Sequence, residues 1–509
     1  MKTQYKSRIF ISLVLCLILT LSVSCSNENE PTKQTKWTIM YYGDGDCDLE
    51  PYLLEDIQEM KDGFVNDQGI NLIVLFDRGF YSYDSSTFGE NFIDTRLYRI
   101  TSGNVERLDG GEQFPEIKTN LYYEANMGDP NTLKKFIQFC KANYPADHYA
   151  LILSNHGGGS RKKSLTDEKA QKTNVFKEIC VDETDDYDAL YMGEISNVLS
   201  SAESVDLLGF DACLMSSVEV AYQFRNDSSN SGFKANYMIA SAPPETGYGW
   251  DYYSIFQRLQ AKSGDNGEED ETLDGYESYY DPASLTAEIF GAIIVEEQRD
   301  STVDNNTQSL TCLDLSKVKA VKEAVDSLAK ELNRDNEKGD MENLRGSRNS
   351  VSLLHYFDEE YDLEWILCPF FDIYNLAKAI NQSSNFSDVV INCASNAMTA
   401  VDAMVLYSFA NSDFTTFEAG KSGVHIFFQD GDAIYNYEGT GYRHWAFQGW
   451  YNALDLSLDE AYGFYVNLSW CKDGATAGND TVENWFELLD SWFDISNEDD
   501  ENNLNIYQY

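Results

Sequence analysis

Tyr149-Ala150-Leu151-Ile152-Leu153-Ser154-Asn155-His156-Gly157-Gly158 runs from an apolar segment straight into a histidine and a glycine turn. An apolar run of strand length with no alternating polar face predicts a strand buried on both sides. Working outward, Leu133 to Tyr144 has the spacing of an amphipathic helix and stops at Pro145, and Val205 to Phe210 is a second buried strand, followed by Asp211-Ala212-Cys213. Trp37 to Tyr42 and Asn71 to Phe76 read the same way, with an amphipathic stretch from Leu49 to Met60 between them. Met192 to Leu199 and Met215 to Phe224 read as helices. Apolar strands separated by helices imply a mostly parallel sheet covered on both faces, an α/β/α sandwich.

Beyond Tyr253 the pattern loosens. Asp265 to Asp281 holds eight acids and no base, the composition of a solvated insertion. Leu315 to Leu332, Ile373 to Ile380 and Asn396 to Tyr407 have helical spacing, and Gly423 to Phe428 reads as a strand. Past residue 430 the chain is rich in Tyr and Trp and ends in an acidic tail. These signals predict a C-terminal α+β region over 311–509 that completes or packs on the sandwich domain over 36–310, with its acidic insertion near 263–281.

The chain has 509 residues, 85 acids against 37 Lys and Arg, and a net charge of −48. That excludes a nucleic-acid partner, because duplex binding needs a positive field against phosphate and no basic domain is visible. The 33 Tyr, 28 Phe and 8 Trp exclude a wholly disordered chain. Lys2, Lys6 and Arg8 precede an apolar run from Ile9 to Leu21, the signature of a signal peptide over 1–24 and too short to span a bilayer. Leu21-Ser22-Val23-Ser24-Cys25 resembles a relaxed lipobox that would lipidate Cys25, with 25–35 as a polar tether; an ordinary signal peptide with an incidental cysteine is the alternative. The protein is therefore expected to be exported, and to touch a membrane by a lipid anchor alone. The other cysteines are scattered singly, so a zinc site is poorly supported and most read as free core thiols.

Open α/β sheets bind ligands outside the carboxyl ends of their strands. Two such ends carry chemistry: Ser154-Asn155-His156-Gly157-Gly158, and Phe210-Asp211-Ala212-Cys213-Leu214-Met215, where a thiol precedes the predicted helix. A helix N-terminus there would lower the thiol's pKa. On pattern alone a buried core thiol is the commoner meaning of such a cysteine.

These residues resemble the clostripain family of cysteine peptidases, which share the caspase-like fold. Trp37 to Tyr42 with Asp46-Cys47-Asp48-Leu49-Glu50 is similar to the family's first strand and acidic turn. Asn126-Met127-Gly128-Asp129-Pro130, Tyr144 to Tyr149 and Asn155-His156-Gly157-Gly158 are similar to the run carrying its histidine. Asp211-Ala212-Cys213-Leu214-Met215 with Glu219-Val220-Ala221-Tyr222 is similar to the run carrying its cysteine, and Gly247-Tyr248-Gly249-Trp250 to a substrate-side loop. The resemblance spans about residues 36–255 in order.

The resemblance implies Cys213 as nucleophile and His156 as general acid/base, with the N–H groups of Gly157 and Cys213 as oxyanion hole. It implies Asp211 as the carboxylate that binds a basic side chain, while a helix N-cap is its other reading. Protein or peptide substrates with Arg or Lys follow. The family is often cut between its histidine and cysteine, and here that connection is locally basic. Arg161 or Lys163 would be the self-cleavage residue, unless this is simply a surface loop. No cofactor is required. Asp44, Asp46, Asp48 and Glu55 match positions of a calcium loop, but Leu49 stands where that loop needs glycine. A solvated turn with Asp48 capping the next helix is the preferred reading, and calcium stays an option. Two departures affect pocket shape: Ser154 where an aromatic is usual, and Asp44 where a small neutral residue is usual. The functional expectation is an exported cysteine endopeptidase cleaving after basic residues. Its rival is a catalytically silent, anchored binding lipoprotein on the same fold.

Overall fold

The computed structural model describes residues 35–64, 69–79, 86–158, 179–260, 279–301, 308–335, 337–347, 350–357, 369–411, 413–429, 465–476 and 481–493. Nine strands form one sheet in the order β12-β10-β9-β8-β5-β1-β2-β3-β4. Its centre consists of β1 (Thr35–Gly45), β2 (Ile70–Arg78), β5 (Ala146–Ser154), β8 (Val205–Asp211) and β9 (Ala235–Ala240), all parallel. Antiparallel strands finish both sides: β3 (Arg96–Thr101) and β4 (Asn104–Leu108) beyond β2, and β10 (Ser309–Asp314) and β12 (Val405–Ala410) beyond β9. Two small ladders stand apart, β6 (Ile179–Asp182) with β7 (Asp188–Leu190), and β11 (Phe370–Asp372) with β13 (His425–Phe427).

The apolar runs are continuous because both faces of the sheet are covered. Along β1, Ile39 and Tyr41 enter one core with Leu53, Ile57 and Met60 of α1 (Glu50–Gly63) and Phe290 and Ile293 of α6 (Ala287–Asp300). Met40 and Tyr42 enter the other core, with Leu133, Phe136 and Ile137 of α2 (Pro130–Asn143). Burying each such side chain contributes roughly 1.5–3 kcal/mol. The second core also takes in Val321 and Leu328 of α7 (Val318–Asp335), Val390 and Val401 of α10 (Asp388–Met404), and Trp470 and Trp485 near the C-terminus. Asp129 accepts from the N–H of Asn131 at 2.8 Å and Pro130 opens α2, so part of the 126–130 motif is a helix start.

Two elements differ from expectation. The predicted helix over Met215 to Phe224 shrinks to α4 (Val218–Gln223), because Leu214 takes a left-handed conformation (φ 62°) and Ser217 caps the helix. The segment Asn396 to Tyr407 divides: α10 starts earlier, capped by Ser387, and the chain leaves it at Val405 to form the edge strand β12. The acidic insertion near 263–281, the signal peptide and tether with Cys25, and the basic connection with Arg161 and Lys163 lie wholly or almost wholly outside the described residues.

Candidate active site

Strand register brings the two chemical strand ends together. Ser154 at the end of β5 pairs with Asp211 at the end of β8, so His156 and Cys213 each stand two residues past a paired position. Gly157 then lies against the backbone of the Cys213 turn. A Cβ on Gly157 would strike the Cys213 carbonyl and come within 3.1 Å of its nitrogen, so only glycine permits this approach. The expected oxyanion donors, the N–H groups of Gly157 and Cys213, thus belong to adjoining segments. Gly157 also bridges to Ile179.

The half-buried Cys213 is not at a helix N-terminus, since α4 begins only at Val218. No helix end lowers its pKa. Burial, with the Glu245 carboxylate next, pushes the thiol up to about 12. The N–H of Glu245 points at its sulfur at 3.2 Å. The turn is held open by tertiary bonds: the N–H of Leu214 donates to the Pro243 carbonyl at 3.1 Å, and its carbonyl accepts from Nε2 of His425 at 2.9 Å. Burial pushes His425 down to about 3, so it is neutral and serves as a fixed donor. These bonds offset the cost of a left-handed leucine, about 1–3 kcal/mol.

Asp211 is not an N-cap; Ser217 fills that role for α4. Its Oδ2 accepts from the Tyr252 hydroxyl at 2.8 Å, and burial raises its pKa to about 6. A second buried carboxylate, Asp56 of α1, accepts from the Tyr41 hydroxyl at 3.2 Å. Burial and then the charge of Asp211 push Asp56 well above the carboxylate range. Between the two acids stands Gly249, with φ 62°, where a Cβ would lie 3.0 Å from Asp211 and 3.3 Å from Asp56. Trp250, buried beside this pair, donates to Glu245 at 3.3 Å.

The first-strand turn is not the solvated loop expected. Asp44 and Asp46 are buried, and α1 has Leu49 at its N-cap with no side-chain cap. Asp48 instead reaches His156, Oδ1 to Nε2 at 2.7 Å, and this bond holds its carboxyl below the usual range. Oxygens of Asp46, Asp77 and Asp182 converge within 4.8 Å of one another. Asp44 Oδ2 and Asp77 Oδ2 are buried without a hydrogen-bond partner. Burial and mutual repulsion raise Asp44 and Asp77 well above the normal range and Asp182 to about 7. This is a hard-oxygen set suited to a divalent cation, built from β2, β6 and the turn after β1 rather than from one loop. The exposed Glu55 is not in it.

Asp48, Asp56, Glu245 and His425 were missed from sequence. For Asp56 a signal existed: an acid on the apolar face of an amphipathic helix, Leu53-Leu54-Glu55-Asp56-Ile57. The others are joined to the site only by folding.

The sequence pattern of the clostripain family matches residues 41–492. The chain is 48% identical over 493 residues to clostripain from Hathewaya histolytica, covering 96% of this chain and 91% of that protein. Among solved structures, an inactive zymogen protease from Parabacteroides distasonis aligns with TM-score 0.50 and 15% identity, over 86% of this chain and 98% of that one. A secreted cysteine protease from Bacteroides thetaiotaomicron, in complex with an irreversible peptide inhibitor, aligns with TM-score 0.49 and 17% identity, over 81% of this chain and 99% of that one.

Proposed function

The chain belongs to the clostripain family, with a caspase-like fold, and is a cysteine protease; from that premise we propose that it is an exported endopeptidase cleaving after Arg or Lys through Cys213 and His156. The observation that supports the proposal is the pairing of Ser154 with Asp211, since His156 and Cys213 each follow by two residues the ends of these neighbouring strands. At neutral pH Cys213 is a thiol. Transfer of its proton to His156 accompanies attack on the scissile carbonyl, the N–H groups of Gly157 and Cys213 receive the oxyanion, and His156 returns the proton to the leaving amine. Water then hydrolyses the acyl-enzyme. Asp48 is a positioning residue that holds the His156 ring.

Asp211 and Asp56 give the specificity its physical basis. Burial raises both carboxylates, and the charge of Asp211 raises Asp56 further; a guanidinium or ammonium between them would favour their ionised forms. The hard-oxygen set of Asp46, Asp77 and Asp182 would hold a calcium ion, which when bound supplies positive charge against these acids. Export rests on the charged start and apolar run of residues 1–24, anchoring on Cys25, and self-processing on the basic connection with Arg161 and Lys163. No described helix is long and apolar enough to cross a membrane.

Hydrolysis of Arg-, Lys- and Asp-terminated fluorogenic peptides by the full chain and by Cys213→Ala tests this reading. Turnover after Arg and Lys is expected, with none in the variant. Turnover after Asp, or activity surviving Cys213→Ala, overturns it.

A further inference from the structure

A cavity of about 540 Å³ opens beside Pro243 and Pro244. Its size is that of a small-ligand site, typically about 300–1,000 Å³. Leu354, Tyr356 and Phe357 are buried in its wall, and Phe414 packs edge-on against Tyr356 at 5.4 Å between centroids. The wall is rigid: the Tyr356 hydroxyl donates to Asp372 at 2.8 Å, and both receive the N–H of Gly423. Ser352, Thr415 and Thr416 form a polar rim.

One loop connects this cavity to the chemistry. Ala242 packs with Leu354 and Tyr356, the Pro243 carbonyl holds Leu214, the Glu245 N–H points at the Cys213 sulfur, and Gly249 stands beside Asp211. The cavity begins two residues before Glu245, and an extended peptide residue spans about 3.3 Å. A bound chain therefore reaches it within a few residues of the cleaved bond.

Sheet order sets the direction. Along the carboxyl edge come β5 with His156, β8 with Cys213, β9 with the Pro243 loop, then β10 and β12. β10 runs antiparallel to both β9 and β12, so the end of β12, from which Phe414 and Thr415 follow, lies on that same edge. His156 and the cavity are on opposite sides of Cys213. The histidine serves the leaving amine, so the acyl half of the substrate runs the other way, over β9 toward the cavity.

We propose that this cavity is a second specificity subsite, which takes an apolar or aromatic side chain at one of the positions P2 to P4 of the peptide substrate. It rests on the assignment of His156 and Cys213 above. Specificity then has two parts, a charged one at P1 and an apolar one upstream.

The test uses the full chain and Arg-terminated tetrapeptide amides in which P2, P3 and P4 are each in turn Phe, Leu, Ala or Asp. Benzoyl-arginine amide, and the same set with P1 randomised, serve as comparisons. One position is expected to favour Phe or Leu over Ala by about 10-fold in kcat/KM, the scale of a filled apolar pocket. In Ser352→Trp and in Thr415→Trp, both at exposed rim positions, that ratio is expected to fall below about 2-fold. No preference at any of the three positions, or a preference unchanged in both variants, overturns the proposal. If benzoyl-arginine amide is not cut, the basic-P1 reading fails by itself, and the P1-randomised set still decides the subsite.

Discussion

Two groups of buried carboxylates differ in how their oxygens are arranged, and under the proposed function they would take different cations. On the β8 side, Asp211 is satisfied by the Tyr252 hydroxyl, Asp56 by that of Tyr41, and both border the space left by Gly249, with Trp250 close by. On the β1 side, Asp46, Asp77 and Asp182 converge, and Asp44 and Asp77 each keep an oxygen unpartnered. A guanidinium needs carboxylates at the end of a slot with flat apolar walls. A metal ion needs oxygens that meet at a point. Convergence, rather than the number of acids, separates a side-chain pocket from an ion site, in a chain whose 85 acids make clusters expected by chance.

The largest effect that could break this division is at Asp211. Asp211→Asn is expected to lower kcat/KM for Arg and Lys peptides by about 10²–10³-fold, as when one partner of a buried charge pair is lost. Asp77→Asn should leave the ranking of P1 residues unchanged. A similar loss of basic preference in both variants would make the two groups one site.

Calcium provides the converse measurement. If the set of Asp46, Asp77 and Asp182 binds calcium, calcium at 100 times its Kd is expected to stabilise the native chain by about 2.7 kcal/mol, seen as a raised melting temperature. The rise is expected to vanish in Asp77→Asn and Asp182→Asn and to persist in Asp211→Asn. No rise in the wild type, or one that depends on Asp211, would reverse the assignment.

A smaller effect is expected at Asp48, which lies between Asp46 and Asp56 in sequence and belongs to neither group. Asp48→Asn should lower kcat about 10-fold with KM little changed, because it positions the acid/base rather than binding substrate. A change confined to KM would place Asp48 in substrate binding instead.

The smallest effect is in the pH dependence of stability. Asp182 and Glu124 are held up to about 7, above their unfolded values. The native state therefore binds more protons than the unfolded state from about pH 4 upward, and stability falls as pH rises through 7. Without calcium the melting temperature should drop by about 2 °C or more between pH 5 and pH 8. With calcium the drop should shrink, since the ion takes the protons' place. A rise with pH in calcium-free buffer would contradict the acidic cluster as described.

The sheet was legible because four of its central strands, β1, β2, β5 and β8, are buried on both faces along most of their length, and only continuous apolar runs such as Tyr149 to Ser154 satisfy that environment. The strands missed, β3, β4, β9, β10 and β12, lie toward or at the sides of the sheet, and β3, β4 and β12 carry polar or half-buried residues that dilute the pattern. His156, Gly157, Asp211 and Cys213 lie at or just past the ends of β5 and β8, where the sequence pattern put them, while their roles came only from the resemblance. The error at Met215 arose because a left-handed Leu214 is sustained by Pro243 and His425, which no local propensity anticipates. The reading of Asp44 to Asp48 failed likewise: a run of acids has the composition of a wet turn, and only its neighbours show that two of them are buried.

Sequence by itself determined the layers and the family, because these depend on local periodicity and on ordered motifs along one chain. Tertiary structure alone decided that Asp48 meets His156, that Asp56 joins Asp211, that β2, β6 and the turn after β1 bring Asp46, Asp77 and Asp182 together, and that an aromatic cavity opens past Pro243. Each of these joins residues from separate elements, and electrostatic energy depends on distance in space and on the water excluded by folding, neither of which is written in residue spacing.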